Sequence, residues 1–149
     1  MKIIIQTIVS KTIEEVFDGF TEDLFKDLAP PLLPMNLLRF DGCKVDDQVH
    51  IELFLGQKWN SLITESEQTE KEIYFIDEGV KLPFPLSSWK HKHRLINAAI
   101  AEDSGIDSGT IISDEIEYST GLKFFDMLLF PAFWLIFYYR KHIYKKKFC

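Results

Sequence analysis

The stretch SSWKHKHR, residues 87–94, sets Trp89, His91 and His93 at every second position, with Lys90, Lys92 and Arg94 between them. Imidazole titrates near neutral pH and is a common ligand for zinc-type ions, so two in step suggest proton transfer, metal binding or a polar lining. Side chains alternate between the faces of a strand, which puts Trp89, His91, His93 and Leu95 on one face and the three cations on the other. Unpaired cations are costly to bury, so the cations face solvent and the imidazoles point inward.

The segment GTIISDEIEYS, residues 109–119, splits in the same way: Thr110, Ile112, Asp114, Ile116 and Tyr118 share a face, and Glu115 and Glu117 mark the outer one. Antiparallel pairing through a loop at 101–109 brings Asp114 to the neighbourhood of His91 and His93, within a register uncertainty of about two residues. Three readings follow. Two histidines on one strand can supply two metal ligands, with Asp114 or His50 as a third. His50 alternates with apolar residues of its own strand and faces outward, however, and no cysteine or acidic cluster completes a shell, so metal binding ranks last and no cofactor is expected. A His91/His93–Asp114 set can perform general acid–base chemistry. The favoured reading is a hydrogen-bonded polar belt inside an apolar cavity, which orients a ligand or the core itself.

The elements needed to hold these residues can be read along the chain. MKIIIQTIVS forms a first strand, and its apolar run is too short and broken for a signal peptide. Thr12 and Glu15 have the spacing of a capping box before a short helix carrying Ile13, Val16, Phe17 and Phe20. Thr21 caps a second helix, with Leu24, Phe25 and Leu28 on one face, and Pro30, Pro31 and Pro34 end it. A meander of about six strands follows, including QVHIELFLG, and the chain closes in LKFFDMLLFPAFWLIFYYRKHIYKKKF, a helix of about seven turns. The predicted class is α+β, a curved antiparallel sheet over a long terminal helix, in one domain spanning 1–149.

Composition narrows the function. The 149 residues include 13 phenylalanines and only two cysteines, Cys43 and Cys149, so a disulfide framework is not expected and the cytoplasm is the expected location. Six cations (Lys123, Arg140, Lys141, Lys145, Lys146, Lys147) face a lone Asp126 in the last helix, while the rest of the chain is acidic and the whole carries −6. An acidic body argues against nucleic-acid binding. The basic tail either complements the helix dipole in solvent or touches anionic lipid peripherally. The uncharged stretch Met127–Tyr139, interrupted by Pro131, is about 20 Å long as a helix, too short for a span of about 30 Å. Its apolar surface is expected to be buried against the sheet and the short helices, with a homodimer interface as the alternative to a monomer.

The runs IYFIDEG, PFPLSSWKHKHRLI and GTIISDEIEYS together resemble the W-x-H-x-H and G-T-x-x-x-D-x-x-E-Y pattern of the START/pollen-allergen (SRPBCC) superfamily, in its bacterial polyketide cyclase/dehydrase-like branch. One departure is Leu82, where glycine is expected before the tryptophan. The resemblance implies a helix-grip fold: about seven strands around the C-terminal helix, two short helices after the first strand, and a hydrophobic cavity. It puts Trp89, His91, His93 and Asp114 on or near the cavity wall. Tyr118 joins them from its inward face, and Phe130, Phe133, Trp134 and Phe137 are expected to floor the cavity. The expected function is binding or carriage of a small hydrophobic ligand, a lipid or a polycyclic or aromatic compound. The alternative is a cyclase- or dehydratase-type enzyme using His91, His93 and Asp114.

Overall fold

The computed structural model of the chain describes residues 1–101 and 104–149, so part of the acidic loop at 101–109 lies outside the described residues. Strand β1 (Lys2–Val9) leads through helices α1 (Ile13–Asp18) and α2 (Glu22–Asp27) to six further strands: β2 (Asn36–Phe40), β3 (Gln48–Glu52), β4 (Lys58–Gln68), β5 (Glu72–Lys81), β6 (Ser88–Asn97) and β7 (Thr110–Ser119). Helix α3 (Lys123–Phe148) ends the chain. All pairings are antiparallel, and the sheet order is β1-β7-β6-β5-β4-β3-β2, so β1 closes on the last strand rather than on the second. Two register shifts in β4, at Asn60/Ser61 and Ile63/Glu65, bend the sheet, as bulges do.

Local chemistry sets the helix starts. The Glu15 amide donates to Thr12 Oγ1 at 3.3 Å and the Thr12 amide to Glu15 Oε2 at 3.0 Å, the reciprocal box that the spacing predicts. The Leu24 amide donates to Thr21 Oγ1 at the start of α2. Helix α3 is fixed to β7 at its first turn: the Tyr118 hydroxyl donates to the Asp126 carbonyl at 2.6 Å, and the Thr120 amide donates to Asp126 Oδ1 at 2.6 Å.

The apolar interior falls into two clusters. One gathers Val9, Val16, Leu24, Leu95, Tyr144 and Phe148, and the other Ile3, Ile5, Trp89, Ile116, Tyr118 and Phe137. The inner face of β6 runs Trp89, His91, His93, Leu95, and that of β7 runs Tyr118, Ile116, Asp114, Ile112. The polar residues therefore form a band between the clusters.

Two expectations are corrected. QVHIELFLG is not one strand: β3 stops at Glu52, and the chain turns through Phe54–Gly56 with Leu55 at φ 60° and Gly56 at φ 69°, which turns Leu55 into solvent. Burial also does not account for the apolar surface of α3. Phe124, Met127, Leu128 and Leu135 are exposed, because one helix packed on a sheet covers only the face turned towards it. Among the described residues no helix is long and apolar enough to cross a membrane.

Gly109 starts the return into β7 at φ +101°, and a Cβ there would overlap the Val9 carbonyl oxygen. Gly109→Ala is expected to destabilise the fold by about 2 kcal/mol, read as a lower urea midpoint.

Candidate functional site

The band between the clusters is a compact set of ionisable groups drawn from three adjacent strands and the helix. Pairing puts Asp77 of β5 opposite His91 of β6, and Asp114 of β7 opposite His93. The side chains bond diagonally instead. His91 Nε2 lies 2.9 Å from Asp114 Oδ1, and His93 Nε2 lies 3.0 Å from Asp77 Oδ2. The directly opposed contacts are longer: His91 Nδ1 to Asp77 Oδ2 is 3.5 Å, and His93 Nδ1 to Asp114 Oδ1 is 3.6 Å. The imidazole centroids are 3.7 Å apart, and Phe75 stacks on the far side of His93 at 4.3 Å. A carboxylate only accepts, so the short contacts assign a hydrogen to Nε2 of each ring.

Arg140 covers the set from α3. Its Nη1 is 4.0 Å from Asp114 Oδ1, and its guanidinium lies 4.3 Å over the Phe137 ring. Next to it the Tyr144 side chain is fully buried, with no hydrogen-bond partner for its hydroxyl. Burial pushes that phenol well above its ordinary value. Burial alone would also raise both carboxyls. Burial is the largest single influence on each, but the His93 hydrogen bond at Asp77 and the His91 hydrogen bond at Asp114, together with the charges of both imidazoles and Arg140, outweigh it, so both stay below the usual carboxylate range. Burial, followed by the charge of His93, lowers the His91 imidazole to about 4.

Beside this band is a cavity of about 170 Å³. Its polar end is Asp77, His91, His93 and Arg140, and its apolar walls include Trp59, Trp89, Ile63, Phe133 and Phe137. Its lining also takes in the segment after α2 (Ala29, Pro30, Leu33, Met35) and the β2–β3 side (Phe40, Val49, Ile51). Cys43 also lines it, its thiol pushed up to about 12 by burial.

The residues singled out from the sequence fall into two groups. Trp89, His91, His93, Phe133 and Phe137 line the cavity. Asp114 stands behind His91, and the Tyr118 hydroxyl is engaged by the Asp126 carbonyl. Phe130 packs against the second apolar cluster outside the cavity lining. Trp134 is 41 % exposed and stacks on Tyr138, because it sits one residue, about 100° of helix, past Phe133. His50 bonds Gln48 on its own strand. Three members were missed. Asp77 shares a strand face with Ile73 and Phe75. Arg140 and Tyr144 continue the helical series from Phe133 and Phe137, a position that the run of lysines around Arg140 masks in the sequence. Splitting IYFIDEG by alternation would have found Asp77.

No family model matches the chain, and no curated protein matches it in sequence. Solved structures do. A nucleoside-diphosphate sugar epimerase from Corynebacterium glutamicum superposes with a TM-score of 0.60 at 22 % identity, over 80 % of this chain and 24 % of that one. The chain thus spans about a quarter of that protein's length. The ginseng major latex-like protein 151 from Panax ginseng gives a TM-score of 0.54 at 15 % identity, covering 93 % of this chain and 96 % of that one. The Aha1 dimer from Colwellia psychrerythraea gives 0.51 at 12 % identity, covering 95 % and 93 %. At these identities the common property is the fold.

The lowered His91 value has a measurable consequence. Between about pH 6.5 and 4 the unfolded chain takes up a proton at this position that the folded protein refuses, so stability falls as pH falls through that window. The loss is expected to reach about 3 kcal/mol. His91→Gln is expected to flatten that part of a stability-against-pH curve measured by urea unfolding.

Proposed function

We propose that this chain, which has the helix-grip fold of the START/pollen-allergen superfamily, binds a small hydrophobic molecule in the cavity between its sheet and α3. The observation that carries this reading is an apolar cavity with ionisable groups at one end only. Apolar walls supply the affinity, and a few convergent polar groups fix the orientation of the guest. A guest with an apolar body and one polar head, a hydroxyl or a carboxylate, matches both parts: the body lies against Trp59, Trp89 and Phe133, and the head meets Arg140 and the imidazoles. The volume sets a size. A cavity of about 150 Å³ admits a benzene-sized guest, so 170 Å³ takes one ring or a short chain. A full-length lipid or a polycyclic compound requires the lining to move outward, and the exposed 29–35 segment is the part with least packed against it.

A second reading, proton transfer of the cyclase or dehydratase kind, is favoured by the 2.9 Å His91–Asp114 bond, since a carboxylate behind an imidazole orients it as a base. The two readings differ in what a bound compound does next: a carrier releases it unchanged, and an enzyme releases a product.

Binding is tested with an environment-sensitive single-ring probe, 4-(dimethylamino)benzonitrile. Ser61 is buried on the cavity wall, and Ser61→Phe places a ring in the space. The wild-type chain is expected to enhance probe fluorescence saturably, and Ser61→Phe to weaken binding at least tenfold with the circular dichroism spectrum unchanged. Equal binding by the two proteins would place the probe elsewhere and remove the support for an internal site.

A further inference from the structure

The hydrogen positions in the polar band do not close. With the His91 hydrogen on Nε2 towards Asp114, His91 Nδ1 presents a lone pair to Asp77 Oδ2 at 3.5 Å, an acceptor facing an acceptor. His93 Nδ1 is buried and has no hydrogen-bond partner, 3.6 Å from Asp114 Oδ1. The nearby fixed charges are two carboxylates against one guanidinium, so with both imidazoles neutral the band carries one negative charge in excess. A buried acceptor–acceptor contact in an excess of negative charge is a place where a cation fits.

We propose that His91 Nδ1, His93 Nε2 and an Asp77 carboxylate oxygen bind one divalent first-row transition-metal ion of the zinc type, with Asp114 holding both imidazoles from behind. Three observations converge on this. The three ligand atoms lie within 4.8 Å of one another, on residues fixed by adjacent strands. Two of the separations, 3.0 Å for His93 Nε2 to Asp77 Oδ2 and 3.5 Å for His91 Nδ1 to Asp77 Oδ2, bracket the spacing of about 3.3 Å that a tetrahedral ion with bonds of about 2.0–2.1 Å imposes on its ligands. The hydrogens also rearrange favourably. When Nε2 of His93 becomes a ligand, its hydrogen moves to Nδ1, the atom that has no partner, where Asp114 Oδ1 is the nearest acceptor. His91 keeps its hydrogen on Nε2, also towards Asp114. One carboxylate then backs both imidazoles, the arrangement that fixes metal-ligating histidines in their tautomer and orientation. Arg140, on the Asp114 side, balances that second carboxylate and leaves Asp77 to the ion.

The donor set, two imidazoles and one carboxylate, suits zinc, cobalt or iron rather than calcium or magnesium, which prefer all-oxygen shells. Three protein ligands leave a position open on the cavity side, where a water or the acidic head of a guest completes the shell. The site does not depend on the ligand-binding reading, because the three donors are built into β5 and β6 whether or not an organic molecule fills the cavity.

The test is a cobalt(II) titration of the full chain after dialysis against a chelator, read by visible absorption, with zinc(II) then used to displace the cobalt. The expected result is saturation at one equivalent with a visible band that zinc abolishes. Asp77→Asn is expected to weaken binding at least a hundredfold, and Asp114→Asn by about 10–100-fold, as loss of a group behind a ligand does. A chain carrying His142→Ala and Cys149→Ser, which removes two exposed potential ligands, is expected to bind as the wild type does. The proposal is overturned if no saturable band appears, or if the band survives Asp77→Asn and disappears in the His142/Cys149 variant. Where Asp77→Asn does not fold, the wild-type imidazole nitrogen resonances decide. Zinc must shift those of His91 and His93 and leave those of His50 and His142 in place, and the reverse pattern sinks the site. Probe binding in the absence of metal is measured separately, so loss of one reading does not remove the other.

Discussion

Two carboxylates, Asp77 and Asp114, are taken out of water in the middle of the sheet's inner face, and the packing around them follows from the need to hold their charge. Removing an ion from water costs several kcal/mol unless partners replace the lost hydration, and here the partners come from separate elements: His91 and His93 from β6, and Arg140 from α3. Each contact is therefore also a constraint on register. A one-residue slip of β6 would turn both imidazoles to the solvent side and bring Lys90 and Lys92 inward, so the polar band selects against the misregistered sheet more strongly than its apolar neighbours do. The long helix is tied at two points, at its start by Tyr118 and Thr120 on Asp126 and in its second half by Arg140 over Asp114.

The apolar clusters on either side of this band explain why it can exist in a dry interior. Trp89 and Phe137 pack on one flank, Leu95 and Tyr144 on the other, and Phe75 covers the exposed side of the His93 ring. Water is kept from Asp114, which strengthens its contacts and raises the cost of any group left without a partner beside it, while Asp77 is partly open to the cavity. The outer face of the same strands obeys ordinary surface rules. Arg94 is held by Glu72 and Glu115, and Lys92 lies over the Tyr74 ring, so the cations that alternate with the imidazoles have partners in or near solvent.

How much of this could be read from the sequence depended on whether the signal was local. The Thr12–Glu15 cap, the end of α2 before the prolines, and the inward histidines with outward cations follow from short-range rules, and the structure has all of them. The pairing of His93 with Asp114 was also within reach, because one loop joins β6 and β7. Asp77 was not found, since a single acid in an apolar-to-acidic run gives no sign of its face until the strand is split position by position. Arg140 was hidden by its neighbours: five lysines in the same helix made it look like one more solvated cation, and only its position seven residues after Phe133 marks it as inward. Trp134 shows the converse error. An aromatic beside two cavity aromatics seems to belong with them, but helical rotation carries it to the outside.

The cavity's two ends are built to different standards. Its polar end is locked by hydrogen bonds and one ion pair reaching across β5, β6, β7 and α3, whereas another part of its lining comes from the short segment after α2, where Leu32 is 96 % exposed, and from the β2–β3 side of the sheet. Substitutions at Leu33, Met35 or Val49 change the shape of the cavity without touching a charge, while any change at the polar end disturbs several groups together. Descendants of such a chain can therefore vary the shape of this space long before they vary the charged groups that face it. The outline of the cavity and the chemistry of its polar wall are separately heritable traits of one small fold.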